Sequence, residues 1–164
     1  PATLHVLQTY DDAQKLGSSF DGTFVGQVGL SVEGCSVVTT QILAGVSTTT
    51  GNLAAKDGAI VCLTETGRWT GGGELVIRDG SEIILSRQDA IDRHSVIRIY
   101  GSGKLVLLNG VMIRCADLYV NDIKQPAALA CSPSAAVPGA IPLANIGGTG
   151  VLRFGKRGGC IILR

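Results

Sequence analysis

One phrase is written twice between Gly71 and Arg114. It reads Gly-Gly-Gly-Glu-Leu-Val-Ile-Arg-Asp-Gly-Ser-Glu-Ile-Ile-Leu from Gly71, then Gly-Ser-Gly-Lys-Leu-Val-Leu-Leu-Asn-Gly-Val-Met-Ile-Arg from Gly101. Each copy holds a glycine corner, one charged residue, a short aliphatic strand, an Asp-Gly or Asn-Gly turn and a second strand. Gly73 maps onto Gly103, Leu75 onto Leu105 and Asp79 onto Asn109, a spacing of 30 positions. A looser third copy runs from Gly147 through Val151–Phe154 to Cys160–Leu163. Self-similarity at a spacing of about 20–50 residues predicts a solenoid, a propeller or an array. Propeller blades run to ~40 residues with aromatic signatures, and this chain has one Trp. Leucine-rich repeats need a regular Asn-Leu phrase, which is absent. A solenoid of short parallel strands tolerates uneven coils, places Gly at corners and stacks aliphatic residues inside. The predicted fold is therefore all-β, a parallel β-helix (β-solenoid), with a β-sandwich as the alternative.

Composition agrees. Of 164 residues 23 are Gly, hydrophobic residues make up 45% and aromatics only 4%. The core must come from Val, Ile, Leu and Ala, in a chain long enough for one domain. The net charge is +1 with 16% charged residues, which excludes the basic footprint of a nucleic-acid binder. It suits a surface covered by further copies. No apolar run reaches the ~18 residues of a membrane span. No signal peptide is present and the chain begins with Pro1, which fits a removed leader or a fragment.

Residues 1–27 differ from the rest and are expected to form a cap or arm. Thr3–Leu7 reads as a strand. Thr9 is placed to cap a short helix over Tyr10–Leu16 that ends at Gly17. Residues 28–164 form the predicted solenoid. Short β-rich pieces at Val28–Val32, Ser36–Leu43, Val46–Thr50 and Ala59–Thr64 are separated by Glu33-Gly34, Ala44-Gly45, Thr50-Gly51-Asn52 and Lys56-Asp57-Gly58. Alternation in Ala59–Thr64 is weak. The Thr runs at 39–40 and 48–50 suit an exposed ladder of β-branched side chains. Arg87–Ser95 reads as a longer corner loop. Residues 125–144 hold Pro126, Pro133, Pro138 and Pro142. Proline lacks the ladder donor, so this segment is read as a loop of about twenty residues and not as central strand.

Here the chain resembles a known family. Gly-Lys-Leu-Val-Leu at 103–107, Leu118-Tyr119-Val120-Asn121-Asp122-Ile123-Lys124-Gln125-Pro126-Ala127, a loop, then Ile146-Gly147-Gly148-Thr149-Gly150-Val151-Leu152 is similar to the autotransporter-associated β-strand repeats of large secreted bacterial proteins. The resemblance covers about residues 71–155. It implies a right-handed parallel β-helix, a handedness that parallel crossovers also favour, on or outside the cell.

Chemistry is sparse in the sequence. Five Cys at 35, 62, 115, 131 and 160 match no metal or Cys-x-x-Cys pattern. Cys62 and Cys115 read as small buried residues on inward positions. Cys35, Cys131 and Cys160 are candidates for disulfides, and the odd count leaves one thiol over that is available to join neighbouring subunits. Asp89, Asp92, Arg93 and His94 form the one local cluster suited to acid–base work on a polysaccharide, although such a corner is ordinarily a solvated loop. Trp69, beside Gly71–Gly73, is a candidate to stack on a sugar ring, and His94 to contact a glycan; for Trp69 core packing is the ordinary reading. Asp57-Gly58 and Asp79-Gly80 read as plain turns and not calcium sites. No motif calls for a cofactor or a metal.

Two functions follow as expectations. The first is a structural extracellular protein that assembles head to tail into filaments. A solenoid exposes backbone edges at its first and last coils, and a contact that does not close gives a fibre. Its interface would use Ile161, Ile162 and Leu163 at one rim, with Leu4, Val6, Pro133 and Pro138. The second is a carbohydrate-binding or polysaccharide-degrading β-helix module. A passenger fragment of an adhesin is a third possibility.

Overall fold

The computed structural model describes residues 2–7, 18–34 and 40–155. Among them there is no helix, and parallel strands stack into a β-solenoid of about five turns. The first coil holds β1 (Ala2–Leu7), β2 (Ser18–Phe20) and β3 (Val25–Gly26). The second holds β4 (Val28–Glu33), β5 (Thr40–Leu43) and β6 (Val46–Thr49). The third holds β7 (Leu53–Lys56), β8 (Ile60–Leu63) and β9 (Arg68–Thr70). The fourth has β10 (Leu75–Ile77) and β11 (Glu82–Leu85), and its third side is the single bridge from Ile91 to Trp69. The fifth has β12 (Val96–Ile99), β13 (Lys104–Leu107) and β14 (Met112–Arg114). The last begins with β15 (Asp117–Val120), makes an excursion through β16 (Ile123–Lys124), β17 (Ala128–Cys131) and β18 (Ile141–Pro142), and resumes with β19 (Ile146–Gly148) and β20 (Val151–Phe154).

Two main sheets run the length of the stack. Sheet A has the order β1-β4-β7-β10-β12-β15-β16 and sheet B the order β19-β13-β11-β8-β5-β2. The third side is split into β3-β6-β9 and β14-β20-β17-β18. Alternate residues point inward along each strand, so equivalent positions form columns. Leu30, Leu53, Leu75, Ile97 and Leu118 make one column in sheet A. Val61, Ile83, Leu105 and Ile146 make another in sheet B. All are fully or almost fully buried.

The true coil step differs from the spacing read in the sequence. Leu53 pairs with Leu75 and Leu75 with Ile97, steps of 22 positions (53 to 75, 75 to 97). Leu105 pairs with Ile83, also 22 positions away, and lies in sheet B. The 30-residue echo therefore joins two different sides of the solenoid. Both sides bury alternate aliphatic residues and both are bounded by Asx-Gly corners, so their sequences look alike while their positions in the coil do not.

The N-terminal segment is part of the stack. β1 pairs in parallel with β4, β2 with β5 and β3 with β6, so the described part of residues 1–27 is built as a first coil. The expected helix at Tyr10–Leu16 lies outside the described residues. The proline-rich excursion is not wholly loop. β17 lies between β20 and β18 in its sheet, antiparallel to β20. Pro126 and Pro133 flank it, and Pro142 sits in the edge strand β18, so no proline interrupts a ladder that needs its donor. The excursion stretches the coil step to 41 positions (105 to 146).

The Thr run also divides. Thr48 and Thr50 are exposed, but Thr49 is fully buried. Its Oγ1 lies 2.5 Å from the Val28 carbonyl oxygen and 3.0 Å from that of Gly26, the two acceptors for its one proton, and accepts from the N–H groups of Val28 at 3.1 Å and Gly51 at 3.0 Å. It holds the corner where one coil passes to the next, satisfying backbone groups that a buried bend leaves unpaired. Arg87–Ser95 is likewise more than a loop, because Ala90, Ile91 and Ser95 are buried.

Candidate functional site

The two ends of the stack are unlike. At the far end, Asn121 and Asp122 adopt left-handed φ of 51° and 62° and turn β15 back on itself as a tight hairpin. β16 thereby covers the last edge of sheet A with two residues. β17 and β18 cover the edge of β20, ending in a two-residue strand that contains Pro142. Short strands, antiparallel turns and an edge proline are devices that blunt strand addition. β19 closes sheet B at this end, with no described strand on its outer edge.

At the near end, among the described residues, no strand pairs with the outer edge of the six-residue β1. Leu4, Phe20 and Val25 are exposed there by 48%, 37% and 62%. An apolar cavity of about 210 Å³ opens at the same rim, lined by Leu4, Phe20, Phe24, Leu30 and Leu43, with Gln41 and Ser19 at its margin.

Of the residues expected at an interface, Leu4 and Val6 lie in β1 at this rim. Pro133 and Pro138 are exposed in the excursion at the opposite end, so contact between the two sets needs two copies. Ile161, Ile162 and Leu163 lie outside the described residues. So do Cys35 and Cys160. Cys131 is a buried free thiol, as is Cys115, and among the described residues there is no disulfide. Cys62 is not inward as expected. It faces outward from β8, in register with Ile42 and Ile84, and is half-buried. Burial pushes its thiol up, and burial followed by the Asp117 charge pushes Cys115 to about 12.

Trp69 is not a glycan platform. It is 1% exposed, its Nε1 donates to the Gly51 carbonyl, and its ring lies 5.5 Å from that of Phe24. His94 is exposed, as is Arg93, whose Nε donates to His94 Nε2 at 3.2 Å. Asp92 accepts from the His94 backbone N–H at 2.8 Å and so shapes its own corner. Asp89 is bound by Arg87 and by Arg68 at 3.0 Å. The Arg87 hydrogen bond holds the Asp89 carboxyl below the usual carboxylate range, the reverse of what a general acid requires. Two grooves flank the Arg93–His94 corner, of about 560 and 680 Å³. Beside them Arg114 and Arg153 are register partners on β14 and β20.

The outer faces of the main sheets also differ. Sheet A carries Glu33–Lys56, Glu74–Arg98 and Asp117–Lys124 ion pairs, and Arg98 over Tyr119. Sheet B presents the aliphatic row Ile42, Cys62, Ile84, Val106, each in register with the next. Sequence reading missed this row. Its signal was the weak alternation at Ala59–Thr64, where outward positions are aliphatic too.

Among the described residues no group of three His, Cys, Asp or Glu side chains converges on one point, and no helix is long and apolar enough to cross a membrane. Fold and surface together define the chain as a parallel β-solenoid. No protein-family model, curated protein or solved structure matches it.

Proposed function

We propose that this chain is a structural protein that associates with copies of itself outside the cell or at its surface. The observation that carries the reading is the near rim. A six-residue parallel edge strand, three exposed apolar side chains and an apolar cavity share one end of the stack. An edge of that kind offers a row of backbone donors and acceptors to another strand, and each apolar side chain buried there contributes about 1.5–3 kcal/mol. In a head-to-tail filament this rim would seat on the far end of the next copy. There β16 and β18 leave little edge and the β19 side of sheet B offers the most. The extracellular placement rests on the resemblance to secreted surface repeats over about residues 71–155.

Electron microscopy of the purified chain tests the proposal. Filaments, shortened or lost in the Leu4→Lys, Val25→Lys double variant, are the expected result. Dispersed single particles at high concentration would overturn it.

A further inference from the structure

The lateral face holds a cluster of arginines apart from the near rim. Arg114 and Arg153 stand on adjacent parallel strands in direct register, so their Cα atoms are about 4.8 Å apart. Their chain neighbours Ile113 and Leu152 are fully buried, so by strand alternation both guanidinium groups point outward. Like charges placed directly opposite are unfavourable in a sheet. Other described arginines have partners: Arg68 and Arg87 hold Asp89, Arg98 holds Glu74, and Arg78 lies over the Tyr100 ring. Among the described residues neither Arg114, Arg153 nor Arg93 has a carboxylate within ion-pair distance. Arg93 and Arg114 line the same groove.

We propose that this face binds an acidic polysaccharide, with Arg114 and Arg153 sharing its carboxylate or sulfate groups and the Arg93–His94 corner guiding the chain. Guanidinium forks match planar oxyanions with two parallel hydrogen bonds. The grooves on either side of the corner, about 560 and 680 Å³, lie within the size range of ligand sites and exceed what a single ion fills. Asp89 and Asp92 line one groove and Asp117 the other, so acceptors for hydroxyls stand beside the arginines, which suits a ligand with hydroxyls as well as charges. The grooves have no Phe, Tyr or Trp among their lining residues on which a run of bases could stack.

Binding of the full-length chain to polygalacturonate, heparin, neutral dextran and single-stranded DNA, measured by calorimetry, tests this. At least one of the two acidic polysaccharides is expected to bind tenfold or more tightly than dextran or DNA, with binding lost near 1 M salt. The Arg114→Gln, Arg153→Gln variant is expected to weaken it by about 10–100-fold, as loss of charge-assisted bonds implies. The rim variant Leu4→Lys, Val25→Lys is expected to bind as wild type, so failure of self-association leaves this result standing. No binding to either acidic polymer, equal binding to dextran, tighter binding to DNA, or an unchanged arginine variant would overturn the proposal. The comparison of polymers on the wild-type chain decides the matter even where the arginine variant does not fold.

Discussion

The indole Nε1 of Trp69 donates to the carbonyl of Gly51 at 3.1 Å, across one coil boundary. This is the largest fully buried side chain, and in its column it stands between the small Ser47 and Ile91. One large residue therefore fills space that neighbouring coils leave open. Trp69→Ala is expected to cost about 3–5 kcal/mol, a large share of the stability of a chain this size. Trp69→Phe is expected to cost about 1–3 kcal/mol, for the lost donor and the smaller ring. Chemical denaturation followed by circular dichroism checks both.

Glycine corners separate close stacking from backbone strain. A Cβ on Gly73 would lie 2.1 Å from the Gly51 carbonyl oxygen, in the backbone of the coil beneath. A Cβ on Gly110 meets nothing within 4 Å, although its φ is +64°. Gly73→Ala is expected to cost about 3 kcal/mol, at the upper end for overpacking. Gly110→Ala is expected to cost only the left-handed strain of about 1–2 kcal/mol. Equal melting temperatures for the two variants would show that coils are not stacked at this corner.

The Asp89 carboxyl is held below its ordinary 3.8 by Arg87 first. A lowered folded-state value means its charge stabilises the fold above that pH and ceases to as pH falls through the folded value. The side chain is 59% exposed, so solvent screens the pair. Asp89→Asn is expected to lower stability at neutral pH by no more than about 1 kcal/mol. The gap between variant and wild type should close in acid and in high salt. A gap that widens in acid would contradict the assignment.

Thiol chemistry distinguishes the cysteines. The Cys115 thiol is raised from 9.0 to about 12, by burial and then by Asp117. A raised acid favours the folded state until pH passes its unfolded value, after which the unfolded chain gains by ionising. Stability should therefore fall from about pH 9 upward, by up to ~1.4 kcal/mol per unit, and Cys115→Ala should flatten that fall. Iodoacetamide at pH 8 is expected to modify the half-buried Cys62 before Cys115 or Cys131, with mass spectrometry as the readout.

The solenoid was legible because its corners and its inward aliphatic residues leave local marks: Gly71–Gly73, Asp79-Gly80, Leu75 and Leu105. Its step was not, because Leu75 and Leu105 obey the same alternation on different sides, and only ladder partners reveal which positions coincide. Trp69 beside three glycines reads first as core and second as a sugar platform, and its burial bears out the first, but a sequence does not say which coil lies beneath. Thr49 was hidden between two exposed threonines, and its burial follows from the bend between coils. Arg114 and Arg153 are 39 residues apart (114 to 153), brought together only after the proline-rich excursion is looped out. That a solenoid exposes edge strands follows from the fold class, but the sequence reading puts a cap or arm at residues 1–27 and the uncapped strand at Ile161–Leu163, and it does not anticipate the Asn121-Asp122 hairpin that blunts the far end.

Sedimentation velocity across a hundredfold range of concentration tests self-association most directly. Wild-type chain should shift to larger species as concentration rises, and the Leu4→Lys, Val25→Lys variant should stay at the mass of one chain, 16.9 kDa. A wild-type chain that sediments as a monomer throughout, indistinguishable from the variant, would contradict it.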